Sequence, residues 1–132
     1  MRLRALVVDD SKLSRSAVAR AFQQVGCEVV GLASDGTEAL DMYQKLRPDF
    51  VTMDLVMPKM SGEDALKAIK AQDPAAVVIV ISGEATKPKI VDCVKAGATY
   101  YLVKPFNPEH VRQALAKCFR QRFAADSRTD AG

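Results

Sequence analysis

The sequence predicts an α/β domain: a five-stranded, doubly wound parallel sheet with five helices. Two observations carry that reading. Apolar runs rich in β-formers alternate five times with segments of helical spacing, which places crossover helices on both faces of a parallel sheet. The run from Val77 to Ile81 is uninterruptedly apolar, as a strand buried on both faces must be. A five-stranded doubly wound sheet with right-handed crossovers is the simplest closure, and in the common order 2-1-3-4-5 strand one lies beside strand three.

The first strand covers about Ala5–Val8. Ser11 can cap the helix that follows, on which Leu13, Val18, Ala21, Phe22 and Val25 fall near one face, and Gly26 ends it. The second strand is Glu28–Ala33. Asp35-Gly36 turns into a helix that turns Ala39, Leu40 and Tyr43 inward and stops at Arg47-Pro48. Phe50–Met53 is the third strand. The stretch from Leu55 to Gly62, with Pro58, reads as a loop. Ser61 or Gly62 opens a helix carrying Ala65, Leu66 and Ile69, ended by Asp73-Pro74. After the fourth strand, Ser82-Gly83-Glu84-Ala85 forms a loop, and Pro88 suits the first turn of a helix running to about Ala96. The fifth strand is Thr99–Val103. Asn107-Pro108-Glu109 supplies a cap, a first-turn proline and a dipole-matching acid. The last helix then places Val111, Leu115, Cys118 and Phe119 on one face, with His110 as a surface residue.

At 132 residues the chain is one domain, long enough to bury an ordinary core. We place the folded domain at residues 1–123 and a flexible, small and polar C-terminal tail at 124–132. A net charge of +3 is too small to argue for nucleic acid, and all five helices are used to cover the sheet, leaving none to read DNA. The start of the chain is not a signal peptide, and no segment is long enough to span a bilayer. Cys27, Cys93 and Cys118 are far apart and lack metal-ligand spacing. They read as small, reduced core residues of a cytoplasmic protein.

The chemistry lies at the strand ends. Asp9 and Asp10 follow the first strand, Asp54 the third, Ser82 the fourth and Lys104 the fifth. Polar groups at the carboxyl ends of parallel strands converge on one edge of the sheet. Successive strand residues point to opposite faces, so Asp9 and Asp10 need a local bend to face one ion. Clustered carboxylates repel unless something neutralises them, and Mg2+ is suited to a site with few protein oxygens. No histidine or cysteine is placed to favour a softer metal. A cation, a lysine and a hydroxyl together are arranged to stabilise a phosphoryl group, with the carboxylate between them as nucleophile. Taken singly, Asp9 or Asp10 would serve as a helix cap, Asp54 as a turn cap, Ser82 as a loop hydroxyl, Lys104 as a solvated charge and Tyr101 as a sheet aromatic. It is the set that points to chemistry.

The stretches Val7-Val8-Asp9-Asp10-Ser11, Val51 to Gly62, Ile81-Ser82-Gly83 and Ala96 to Phe106 together resemble the receiver domain of two-component response regulators, most of all the stand-alone chemotaxis type. The resemblance runs in order from about residue 3 to 121 and implies the flavodoxin-like fold. It implies that Asp54 accepts a phosphoryl group from a histidine kinase or histidine phosphotransfer protein. It also implies that Asp10, Asp54 and the Val56 carbonyl bind Mg2+ directly, with Asp9 acting largely through water. Ser82 and Lys104 would engage the phosphoryl oxygens, with Ser82 and Tyr101 as the switch pair. The positions of Val56 and Glu84 would tune hydrolysis, and Lys104–Pro105 would be cis. The domain would catalyse its own phosphorylation and dephosphorylation, not turnover of a separate substrate. An output protein would bind residues about 86–121, with the receiver a monomer or a phosphorylation-linked dimer.

Three other readings compete. A Mg2+-dependent phosphatase or phosphotransferase using an aspartyl phosphate would want a second acid two residues after the nucleophile, where Val56 stands, and a cap the chain has no insertion to form. A flavin or nucleotide carrier would want a glycine-rich loop, and the segment from Asp9 to Leu13 has no glycine. The chain could also be a receiver excised from a longer regulator, its Arg120–Gly132 tail a linker remnant.

Overall fold

In the computed structural model, residues 2–55, 57, 60–83 and 86–120 are described. Val56, Glu84 and the tail from residue 121 lie outside them. Ten elements alternate along the chain: β1 (Arg4–Val8), α1 (Lys12–Gln24), β2 (Glu28–Ala33), α2 (Gly36–Leu46), β3 (Phe50–Asp54), α3 (Gly62–Gln72), β4 (Val78–Ser82), α4 (Lys87–Lys95), β5 (Tyr100–Val103) and α5 (Pro108–Cys118). The strands are parallel and ordered β2-β1-β3-β4-β5, as the sequence predicts. Among the described residues no helix is long and apolar enough to cross a membrane.

Side chains alternate across the pleat and so feed two cores. On one face Leu6, Val8, Val51, Met53, Val78 and Val80 pack against α2, α3 and α4 through Tyr43, Leu66, Ile69 and Cys93. On the other, Val7, Phe50, Ile79 and Ile81 meet α1 and α5 through Phe22, Val111 and Leu115. Phe50 anchors the second core, with the rings of Phe22 and Phe119 at 5.5 and 5.9 Å. Cys27 and Cys93 are buried and Cys118 is half-buried. Burial pushes the Cys27 and Cys118 thiols up to about 11 and also raises that of Cys93, which disfavours the thiolate at all three.

Ser11 and Asn107 cap their helices as expected, and Asp35 and Ser61 do the same; each accepts the N–H three residues on. Several details differ from the sequence reading, among them that β1 starts one residue early, at Arg4, and β3 runs on through Asp54. Leu13 is 84% exposed, because it sits in the first turn of α1, before that helix overlies the sheet, so Val18, Ala19 and Phe22 take the burial. Ser82 closes β4 instead of opening a loop, since its carbonyl accepts the Lys104 N–H at 2.8 Å and extends the ladder. β4 and β5 each begin one residue later than expected, at Val78 and Tyr100. His110 is exposed, but its Nδ1 accepts the Asn107 N–H at 3.1 Å and completes a capping box.

Candidate functional site

The carboxyl ends of β1, β3, β4 and β5 meet at one edge of the sheet. The ladder fixes their relative heights: Val8 pairs with Met53, Asp54 with Ile81, and Ser82 with Val103. Beyond β1, the Asp9 N–H still donates to the Ala33 carbonyl at 3.0 Å, so Asp9 is held at sheet height while the chain turns away. That turn is the bend the two adjacent acids require. One oxygen from each of Asp9, Asp10 and Asp54 lies within 4.8 Å of the other two. Asp9 is 2% exposed, Asp54 is half-buried and Asp10 faces solvent. Three hard oxygen donors of graded exposure fit a small divalent cation that keeps part of its water shell.

Asp9 is anchored from several sides. The Ser11 N–H donates to Oδ1 at 3.0 Å, the Ser14 hydroxyl donates to Oδ2 at 2.6 Å, and the Arg15 guanidinium donates to the Asp9 carbonyl at 2.8 Å. Lys104, arriving from β5, places Nζ 3.4 Å from Asp9 Oδ2 and donates to Ser14 Oγ at 2.9 Å. The Lys104–Pro105 bond is cis. Ser82 is buried at the end of β4. Tyr101 is half-buried and packs against the core shared by α2, α3 and α4. Asp9, Asp10, Asp54, Ser82 and Lys104 therefore share one strand edge, while Val56 and Glu84 fall outside the described residues.

Two neighbours were not legible as site residues. Ser14 links Asp9 to Lys104, and its only sequence signal is its place three residues after the Ser11 cap, where a helical side chain leans back toward the strand ends. Thr52 lies two residues before Asp54 and hence on the same face of β3. It is buried, and its hydroxyl has no partner among the described residues.

This fold, with acids, a hydroxyl and a lysine at its strand ends, defines a receiver. The response regulator receiver domain matches residues 5–116, and the chain belongs to that family. It is 43% identical over 117 residues to chemotaxis protein CheY of Thermotoga maritima, covering 89% of this chain and 98% of that protein. Among solved structures it resembles the CheX–CheY–BeF3–Mg2+ complex from Borrelia burgdorferi, with a TM-score of 0.84 at 34% identity over 89% of each chain. It also resembles chemotaxis protein CheY4 of Vibrio cholerae, with a TM-score of 0.83 at 36% identity, covering 90% of this chain and all of that one. The chain is thus a response regulator receiver of the CheY-like chemotaxis type.

Proposed function

We propose that this receiver takes a phosphoryl group onto Asp54 from a histidine kinase or a histidine phosphotransfer protein. The observation that carries the reading is the convergence of the Asp9, Asp10 and Asp54 carboxylates within 4.8 Å at a strand edge that Lys104 also reaches. An Asp54 oxygen attacks phosphorus, the acyl phosphate bond forms, and the donor's bond to phosphorus breaks. Asp10 and Asp54, with the Val56 carbonyl, would hold Mg2+ directly and Asp9 would hold it through water; bound there, it would supply positive charge to screen the acids from incoming phosphate oxygens. The Ser82 hydroxyl donates to one phosphoryl oxygen and the Lys104 ammonium pairs with another. The Borrelia relative was solved with BeF3 and Mg2+, which supports a site here for a divalent cation beside a phosphoryl-like group.

Phosphorylation then biases a two-state element. Ser82 moves toward the new charge and Tyr101 follows it inward. The surface that responds is residues about 86–121, carried by α4, β5 and α5. Its apolar exposure supports a partner-binding role, since Val91, Val94 and Val103 are all exposed and α4 buries only Cys93. By the family resemblance, the positions of Val56 and Glu84 would tune hydrolysis of the acyl phosphate. The receiver comprises residues 1–123 and works in the cytoplasm. Turnover of a separate phosphate ester is not favoured, because no acid stands two residues after Asp54.

Incubation with a small phosphodonor tests the reading. Stoichiometric labelling that requires Mg2+, without turnover of phosphate esters, is the expected result. Ester turnover without labelling would reject it.

A further inference from the structure

We propose that Ser14 is a positioning residue that holds the Lys104 ammonium over Asp9 in the resting protein, so that its hydroxyl sets how readily both groups are released for phosphoryl transfer. The inference rests on the phosphotransfer reading above. A serine hydroxyl has one proton to give and lone pairs to receive. Here the proton goes to Asp9 Oδ2 at 2.6 Å, and a lone pair receives Lys104 Nζ at 2.9 Å. The direct separation of Lys104 Nζ from Asp9 Oδ2 is 3.4 Å, longer than a strong charge-assisted bond. The short route from lysine to acid therefore runs through Ser14.

Packing does not hold the lysine there. Its side chain is 31% exposed and borders an apolar cavity of about 320 Å3, lined also by Ala17, Val18, Pro105 and Phe106. With room around the stem, polar contacts fix the ammonium. They also fill Asp9, whose other oxygen already receives the Ser11 N–H at 3.0 Å. A metal-bound water that addresses Asp9 competes with Ser14 for Oδ2. A phosphoryl group on Asp54 competes with Ser14 for Lys104. Loss of the hydroxyl relaxes both.

The test compares wild type with Ser14→Ala, which removes the bridge, and Ser14→Thr, which keeps the oxygen. In Mg2+-free protein, hydrogen exchange at the Lys104 ammonium is followed by nitrogen-15 NMR, with Lys104→Arg for assignment. Exchange is expected to be faster in Ser14→Ala and unchanged in Ser14→Thr. Titration with Mg2+ is expected to show Ser14→Ala binding the ion roughly three- to tenfold more tightly, the worth of one net hydrogen bond. Ser14→Thr should match wild type. Equal exchange, or equal or weaker Mg2+ binding, in Ser14→Ala overturns the inference. The phosphotransfer reading fails separately: wild type that takes no phosphoryl group from acetyl phosphate, while both Ser14 effects appear, rejects that reading and leaves the Ser14 contact standing.

Discussion

Gly62→Ala perturbs the backbone beneath Asp54, the proposed phosphoryl acceptor, without replacing any of the proposed site residues. Gly62 is the first residue of α3, and its N–H donates to the Leu55 carbonyl at 2.9 Å, folding the loop after β3 back onto the strand end. A Cβ there would collide with the Asp54 carbonyl oxygen, and would lie 2.6 Å from Leu55 Cα and 2.8 Å from the Asp54 carbonyl carbon. All three are backbone atoms, so no side chain can yield. Overpacking of this kind costs about 3 kcal/mol, and the better helix propensity of alanine returns about 1 kcal/mol at most, leaving about 2 kcal/mol. For a domain of this length that lowers the melting midpoint by about 7 °C. Two other glycines separate contact from conformation. Gly83 has an ordinary φ and, among the described residues, nothing within 4 Å of an added Cβ, so Gly83→Ala should change stability by less than about 0.5 kcal/mol. Gly26 is equally open but has φ +97°, so Gly26→Ala should cost about 1 kcal/mol through strain alone. Thermal unfolding ranks the three, and the rate of labelling by acetyl phosphate should fall only for Gly62→Ala. If Gly62→Ala is as stable as Gly83→Ala, the close approach of α3 to Asp54 is wrong.

Thr52→Val removes a buried hydroxyl that has no partner among the described residues while keeping the shape of the side chain, and it should stabilise the protein by about 1 kcal/mol in urea unfolding. A loss of stability would mean that the hydroxyl is bonded in solution. Tyr43→Phe removes the 2.8 Å bond from the phenol to Asp73 and should lower stability at neutral pH. That phenol is the main cause holding the Asp73 carboxyl below its ordinary 3.8, so the stabilisation is present above pH 3.8 and fades as pH falls through the lower folded value. The gap between the two proteins should therefore close in acid. A gap that stays constant across the acid range would contradict the bond.

The sheet was legible because its central strands, β1, β3 and β4, are buried on both faces. Val77 to Ile81 or Phe50 to Met53 can be little else than interior strands, and alternation with helices points to a doubly wound parallel sheet. The acids were legible because each follows such a run, and strand ends in a parallel sheet share an edge. The links between side chains were not. A serine one turn into a helix looks solvated in sequence, and only the approach of β5 brings Lys104 onto Ser14. The sequence reading paired Lys104 with a phosphoryl group. In the structure the ammonium sits over Asp9. Leu13 has the spacing of a core residue, yet periodicity does not reveal that the first turn of α1 overhangs the sheet edge. The Tyr43–Asp73 bond joins residues 30 apart and depends on α2 packing beside α3.

The most direct measurement is intact mass after mixing the protein with Mg2+ and acetyl phosphate, with wild type beside Asp54→Ala. The account predicts a single phosphoryl adduct on wild type, absent without Mg2+ and absent from Asp54→Ala. An adduct of equal yield on folded Asp54→Ala would place the acceptor elsewhere. No adduct on folded wild type with Mg2+ bound would contradict phosphoryl transfer as the function of this site.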